Sequence, residues 1–398
     1  MLLLEEKFDL YKKFGLLRVI NAATCLTRLG GSKPDPCVFD VMKEASRSFI
    51  RIPALQSWAG EVIADAFGAE AALPTSGASN ALQLATAACI FRDTELEDYD
   101  PLDRPDCTDI IQRLPLRTAG LKTDFIVMKS DRNVYDHSVE CVGGRLIEAG
   151  SKHKVSEEDL IKAYHPESTA AYYYTVQVSR DIMPLAEFSR IAHEQEAPVI
   201  VDAAPNLTHK EIPHKLIEDG ADLLIFSGGK HLGGPNNTGL LVGRGEIKLA
   251  HLNAYPFDGI GRAAKMSRET IMGLVKALEL WFNRDEDAYY QELEGKSHDI
   301  ADKLNEIPGV SSGVIYEPTL IPELSKPSYA YIELNENAGI TLKGLHEKLL
   351  EGEPPIETLL EPLFITNEAG GRITIKAAYL LPEDEEIIIE RIKTIMKQ

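Results

Sequence analysis

The 398-residue sequence has no uninterrupted apolar run long enough to cross a bilayer. Its opening Met1-Leu2-Leu3-Leu4 meets Glu5, Glu6 and Lys7 at once, so no secretory signal peptide is expected. Cysteine is scarce. The five residues, Cys25, Cys37, Cys89, Cys107 and Cys141, are odd in number and scattered, and no CxxC pair occurs. That argues against a disulfide framework and for reduced thiols in a cytoplasmic protein. Positive charge is also in deficit: 42 Lys and Arg against 62 Asp and Glu give a net charge of -20. Such a balance opposes non-specific binding to nucleic acid or to an anionic membrane, while leaving room for a local basic site. Nucleotide and metal motifs are missing too. Gly229-Lys230 is followed by His231, which breaks the P-loop pattern. Gly259-Ile260-Gly261-Arg262-Ala263-Ala264 faintly matches GxGxxA, but no strand precedes it. His193-Glu194 has no second histidine at zincin spacing, and His209 and His214 lie either side of a proline. No catalytic metal is expected.

What is present is an alternation of short apolar runs with amphipathic stretches. Strands are expected near 125–128, 145–148, 170–176, 198–204, 223–226 and 238–242. Helices are expected near 5–16, 35–49, 57–67, 81–90, 156–164, 185–195, 215–219 and 268–281. Ser156 and Asp159 stand at capping-box spacing. This order predicts an α/β domain with a mostly parallel sheet. After residue 283 the pattern changes to helices near 286–305, 342–350 and 383–396 with strands near 329–334 and 372–377, a smaller α+β domain. The expected organisation is an N-terminal helical arm over 1–20, a large domain over 21–283 and a small C-terminal domain over 284–398. Residues 93–120, acidic and proline-bearing, read as a surface insertion.

Ligands of parallel α/β sheets sit beyond the carboxyl ends of the strands, and several reactive side chains are expected there. Asp202 ends Val199-Ile200-Val201. Ser227 ends Leu223-Leu224-Ile225-Phe226, and Lys230 follows it between Gly228-Gly229 and Gly233-Gly234. Ser76, Gly77, Ala78 and Ser79 stand at the head of an apolar helix, where free backbone N–H groups and the helix dipole favour an anion. Each feature has a plain structural reading: a solvated lysine, a turn carboxylate, a simple helix cap. Together they match what pyridoxal phosphate requires of a protein: an imine-forming lysine, a carboxylate opposite the ring nitrogen, a phosphate site and a flat side chain over the ring. Lys230, Asp202, residues 76–79 with Ser227, and Tyr135 or His137 take those roles in order.

The motifs Ile20-Asn21-Ala22-Ala23, Thr27-Arg28-Leu29-Gly30-Gly31-Ser32, Thr75-Ser76-Gly77-Ala78, Arg132-Asn133-Val134-Tyr135-Asp136-His137, Val201-Asp202-Ala203-Ala204 and Phe226-Ser227-Gly228-Gly229-Lys230 resemble the selenocysteine-synthase-like (SelA-like) branch of fold-type I pyridoxal phosphate enzymes. Gly233-Gly234-Pro235 and Ile260-Gly261-Arg262 with Lys265 extend the likeness, which covers about residues 10–280 well and the rest weakly. Within that branch the sequence is more similar to the ammonia-lyase-like members, those related to D-glucosaminate-6-phosphate ammonia lyase, than to selenium transferases. The resemblance implies the fold-type I transferase fold, Lys230 as Schiff-base lysine, Asp202 as partner of the ring nitrogen and residues 76–79 in the phosphate cup. It also implies a homodimer or larger assembly. His231, Asn80 and Asn236-Asn237 depart from the branch's pattern close to the expected cofactor.

The expected activity is a lyase reaction on an amino acid or amino-sugar acid. Lys230 removes the α-proton, a β-substituent leaves, and ammonia and a 2-oxo acid are released. Arg372 is a candidate for the substrate carboxylate, and Arg28 and Arg262 for an anionic tail. The alternatives are a transferase acting on a charged tRNA, which the net charge disfavours, another pyridoxal phosphate-dependent transferase, and a non-catalytic binding scaffold, which intact Lys230 and Asp202 disfavour.

Overall fold

The computed structural model describes residues 10–96, 111–176, 182–245, 247–253, 259–361 and 371–397. Most of the acidic stretch expected as an insertion, the first half of the expected 5–16 helix, and Phe257-Asp258 lie outside the described residues. In chain order the strands are β1 (Ile20–Asn21), β2 (Ala71–Thr75), β3 (Asp124–Met128), β4 (Arg145–Ala149), β5 (Thr169–Thr175), β6 (Val199–Asp202), β7 (Leu223–Ser227), β8 (Gly239–Gly243), β9 (Val310–Tyr316), β10 (Pro327–Leu334), β11 (Ile356–Glu357), β12 (Leu359–Glu361) and β13 (Arg372–Lys376). The chain divides into two units, one of residues 32–284 and one combining residues up to 31 with 285–398.

The 32–284 unit is built on a seven-stranded sheet of order β2-β8-β7-β6-β5-β3-β4. β7, β6, β5, β3 and β4 pair in parallel, and β8 runs antiparallel to both β7 and β2. The central strands are buried on both faces, which explains their unbroken apolar runs. Over one face lies the helix Ala78–Phe91, whose Ala81, Leu84, Ala85 and Ala88 pack with Tyr173, Ile200 and Ile225. β2 is absent from the expected strands because Pro74 interrupts it. It lies at the sheet edge, where a missing N–H is tolerated.

Helix ends follow their local chemistry. Asp35 accepts from the Cys37 amide at 2.9 Å and caps Pro36–Ala45. The expected start at Ser57 moves back to Ile52, because Pro53 fits the first turn, where its missing N–H has no partner to lose. The capping box at Ser156 and Asp159 forms, with Ser156 N to Asp159 Oδ2 at 3.0 Å and Asp159 N to Ser156 Oγ at 3.3 Å.

The other unit carries a four-stranded antiparallel sheet, β12-β13-β10-β9, and a short parallel pair, β1 with β11. Helices Glu286–Asn305, Leu342–Leu350 and Asp384–Met396 enclose its core with Ile20, Ile332, Ile373 and Ile375. Among the described residues no helix is long and apolar enough to cross a membrane.

Candidate active site

Six strands of the large sheet end on one edge, and five of them deliver a polar group there. β2 ends at Thr75 and β7 at Ser227, and both pair with Gly239 at the start of β8. β5 ends at Thr175, paired with Asp202 at the end of β6. β3 leads into Asp131. Past β2 the chain turns through Gly77, whose φ of +130° favours glycine, and enters the helix Ala78–Phe91. That helix has no side-chain cap at its N-terminus, and a Cβ on Gly77 would meet nothing within 4 Å. Its first-turn N–H groups and positive dipole end therefore stand open to an anion.

Past β7 the glycines are required by close approach. A Cβ on Gly228 would lie 2.3 Å from Thr238 Oγ1, and one on Gly229 2.6 Å from Asn236 Cα. Backbone bonds then fix the loop that presents Lys230. Gly228 N donates to Thr238 O at 2.9 Å, Gly234 N to Gly228 O at 2.8 Å, and Ser32 N to Gly229 O at 2.8 Å. Lys230 and His231 are both half-buried.

Asp202 is buried, and its Oδ1 accepts from Ala204 N at 2.9 Å. Burial pushes its carboxyl above the ordinary range. The Ala204 amide and Lys230 pull it back, and Asp136 pushes in the same direction as burial. A group placed this way is a site for a cation. In the cofactor-free protein the sign follows directly: a folded-state pKa above the unfolded value makes ionisation cost stability as pH rises past about 4. Asp202→Asn, which can keep the bond from Ala204, is therefore expected to melt above the wild type at neutral pH. The gap should close as pH falls toward 3. Differential scanning calorimetry of both apo proteins decides this, and a lower neutral-pH melting temperature for the variant would contradict it.

The segment after β3 is tied to the same place. Asp131, fully buried, accepts from Thr175 N at 2.8 Å, and Asn133 Nδ2 donates to Thr175 Oγ1 at 3.1 Å. Asp136 Oδ2 accepts from Asn133 N at 3.1 Å and from Arg132 Nε. Ser138 Oγ and Ser79 Oγ are 2.7 Å apart, joining this segment to the head of the helix Ala78–Phe91. The sequence assigns no task to Asp131 or Ser138, and Asn133 and Asp136 enter it only as part of the Arg132–His137 motif. The signal was available in a polar run directly after a core strand on the ligand-bearing edge.

Residues 146–266 match the family model described as aminotransferase class-V. The chain is 27% identical over 397 residues to 5'-C-glycyluridine monooxygenase-decarboxylase of Streptomyces sp, covering 97% of this chain and 92% of that one. It is 31% identical over 278 residues to D-glucosaminate-6-phosphate ammonia lyase of Salmonella typhimurium, covering 68% of this chain and 69% of the relative. The chain belongs to this family, the SelA-like fold-type I pyridoxal phosphate enzymes of the ammonia-lyase branch. A solved structure of a D-glucosaminate-6-phosphate ammonia-lyase superposes with a TM-score of 0.81 at 24% identity, over 98% of this chain and 99% of that one, and shares the fold.

The residues on the edge fit the cofactor of a SelA-like fold-type I enzyme. An uncapped helix head suits its phosphate, a buried carboxylate suits a protonated ring nitrogen, and a lysine on a braced loop acts electrostatically on that carboxylate. Ser76, Gly77, Ala78, Ser79, Asp202, Ser227 and Lys230 all lie in the 32–284 unit on this edge. Tyr135 and His137 follow β3 and are exposed, with His137 Nδ1 2.7 Å from Val134 O. Arg262 is an exposed residue of the same unit. Arg28 and Arg372 belong to the other unit and engage carboxylates within it. Arg28 Nε is 3.1 Å from Glu357 Oε1. Arg372 Nε is 2.6 Å from Glu333 Oε1, and its guanidinium lies 4.5 Å from the Tyr331 ring centre.

Proposed function

We propose that this enzyme is a pyridoxal phosphate-dependent lyase that takes an amino acid or amino-sugar acid and releases ammonia and a 2-oxo acid. The observation that carries the reading is the convergence of Lys230, buried Asp202 and the open helix head on one sheet edge, in a chain of the ammonia-lyase family. Bound there, the cofactor supplies an electron sink for the pair left at the α-carbon.

The remaining work falls to the chain. N–H groups at the head of the helix Ala78–Phe91 hold the phosphate, with Ser76, Ser79 and Ser227 as hydroxyl donors. Asp202 keeps a proton on the ring nitrogen, which its buried position favours. Tyr135 or His137 covers the ring. Lys230 would hold the cofactor through its amine and would serve as general base for the α-proton. Arg262, Arg28 and Arg372 are the proposed ligands for substrate carboxylate and anionic tail. The reading also takes the enzyme as a cytoplasmic homodimer or larger assembly, in keeping with the absence of a disulfide at Cys25, Cys37, Cys89 and Cys141 among the described residues.

A screen of amino acids and amino-sugar acids with the purified holoenzyme tests the reaction. Equimolar ammonia and 2-oxo acid from at least one substrate is the expected result. A second reading, oxidative decarboxylation, is favoured by the relative that matches over nearly the whole length, a monooxygenase-decarboxylase. Oxygen uptake with carbon dioxide release, and no ammonia-forming substrate, would replace the lyase reading by that one.

A further inference from the structure

Asp202 is not alone on its edge. Asp136 is also buried, and only one of its carboxylate oxygens is engaged. Oδ2 takes the Asn133 amide and Arg132, while Oδ1 is fully enclosed and has no hydrogen-bond partner. Three ties hold the segment of this carboxylate on the same sheet edge as Asp202. Asp131 and Asn133, of its own segment, bond the backbone and side chain of Thr175, the residue paired with Asp202 across β5 and β6. Ser138, two residues on, bonds Ser79 at the open helix head. Tyr173, two residues before Thr175 on the same face of β5, packs under the helix Ala78–Phe91.

We propose that Asp136 is a positioning residue for the cofactor, a second buried anion that acts with Asp202 to hold the proton on the ring nitrogen. The inference rests on the reading that pyridoxal phosphate binds at this edge. Its physical basis is simple. A proton on the ring opposite Asp202 is a buried cation, and its energy depends on every charge nearby, since a low-dielectric interior screens weakly. Besides burial and the Ala204 amide, the charged groups that act on Asp202 are Lys230 from the loop after β7 and Asp136 from the segment after β3. Tyr173 lies in the field of Asp202, Asp136 and Asp131, and burial holds its phenol above the ordinary range, so it stays neutral. Arg132 pairs with Asp136 and is shared with other carboxylates, and of the two it is Asp136 that acts on Asp202. Arg132 Nη1 lies 2.8 Å from Glu148 Oε1, and Glu140 acts on Arg132 as well, while Glu148 is also paired with Lys129. Lys230, which also acts on Asp202, would be committed to holding the cofactor. Asp136 then keeps the edge anionic and the ring nitrogen protonated.

A ligand pair isolates the effect: pyridoxal phosphate itself, and its analogue with carbon in place of the ring nitrogen. Dissociation constants for both are measured by absorbance or fluorescence on wild type, Asp136→Asn and Asp136→Glu, with thermal melts as a control on folding. Asp136→Asn is expected to lower the preference for the nitrogen-bearing ligand about tenfold, the scale of one charge acting through the protein interior, while Asp136→Glu keeps most of it. The preference is a ratio, so a general loosening of the fold, which weakens both ligands alike, leaves it unmoved. An unchanged ratio in Asp136→Asn, or equal losses for the two ligands, overturns the proposal. If wild type binds neither ligand, the cofactor reading falls first and this inference with it.

Discussion

Lys230→Ala is expected to remain folded, to lose the visible absorbance of lysine-bound pyridoxal phosphate at about 410–430 nm, and to lose turnover by about 10³-fold or more. Folding should survive because the loop that presents the side chain is held by backbone bonds and by the close approach of Gly228 to Thr238 and of Gly229 to Asn236. Lys230 contributes its own carbonyl to that network, accepting from Gly233 N at 3.0 Å, and alanine keeps it. The amine has two duties in the proposed reaction, carrying the cofactor and removing the α-proton, so no neighbour replaces it. Spectra and single-turnover assays on the variant, beside an unchanged melting curve, check this. A variant that keeps the visible band, or turns over within tenfold of wild type, would remove Lys230 from the mechanism.

The largest effect on stability is expected from Lys376→Met, in the other unit. Lys376 is 1% exposed at the end of β13, with Glu317, 4% exposed, as its ion-pair partner. Its ammonium also reaches Tyr329 OH at 3.0 Å, and Ser328 Oγ donates to Glu317 Oε2 at 3.2 Å. Burial pulls the Lys376 ammonium down, but Glu317, Tyr329 and Tyr379 more than offset it, so it sits well above its ordinary range. A raised lysine pKa means stabilisation that is present throughout the neutral range and lost only as pH climbs through the folded value, above 10.5. Removing the cation leaves Glu317 buried without its counter-charge, which costs about 3–5 kcal/mol. Urea unfolding should show that loss, and the double variant Lys376→Met with Glu317→Gln should recover part of it. A single variant within about 1 kcal/mol of wild type would show the pair to be replaceable by solvent.

The same strand shows why part of this chain could be read from its sequence and part could not. Arg372-Ile373-Thr374-Ile375-Lys376 alternates as a half-buried strand does, and Ile373 and Ile375 do enter the core. The alternation also assigns Thr374 and Lys376 to solvent, yet both are buried. Their environment is set by Glu317, Tyr329 and Tyr331 on other segments, and no local pattern carries that information. β9 escaped the sequence reading for a related reason. Val310-Ser311-Ser312-Gly313 lacks apolar alternation, and the strand exists because it pairs with β10 along its length.

The local code alone determined the parallel α/β design, the helices Glu286–Asn305 and Leu342–Leu350, and the positions of Asp202 and Lys230 at strand ends. Short-range periodicity and glycine spacing decide those features, and both are written within a few residues. Only the tertiary structure decided what the polar groups at those ends do. It joined Ile20 to Ile356, set Asp131 on Thr175, brought Ser138 to Ser79 and buried Asp136 on the same sheet edge as Asp202. A carboxylate's role depends on which charges and amides are brought to it and how much water is removed, and folding fixes both through contacts between residues far apart in the chain.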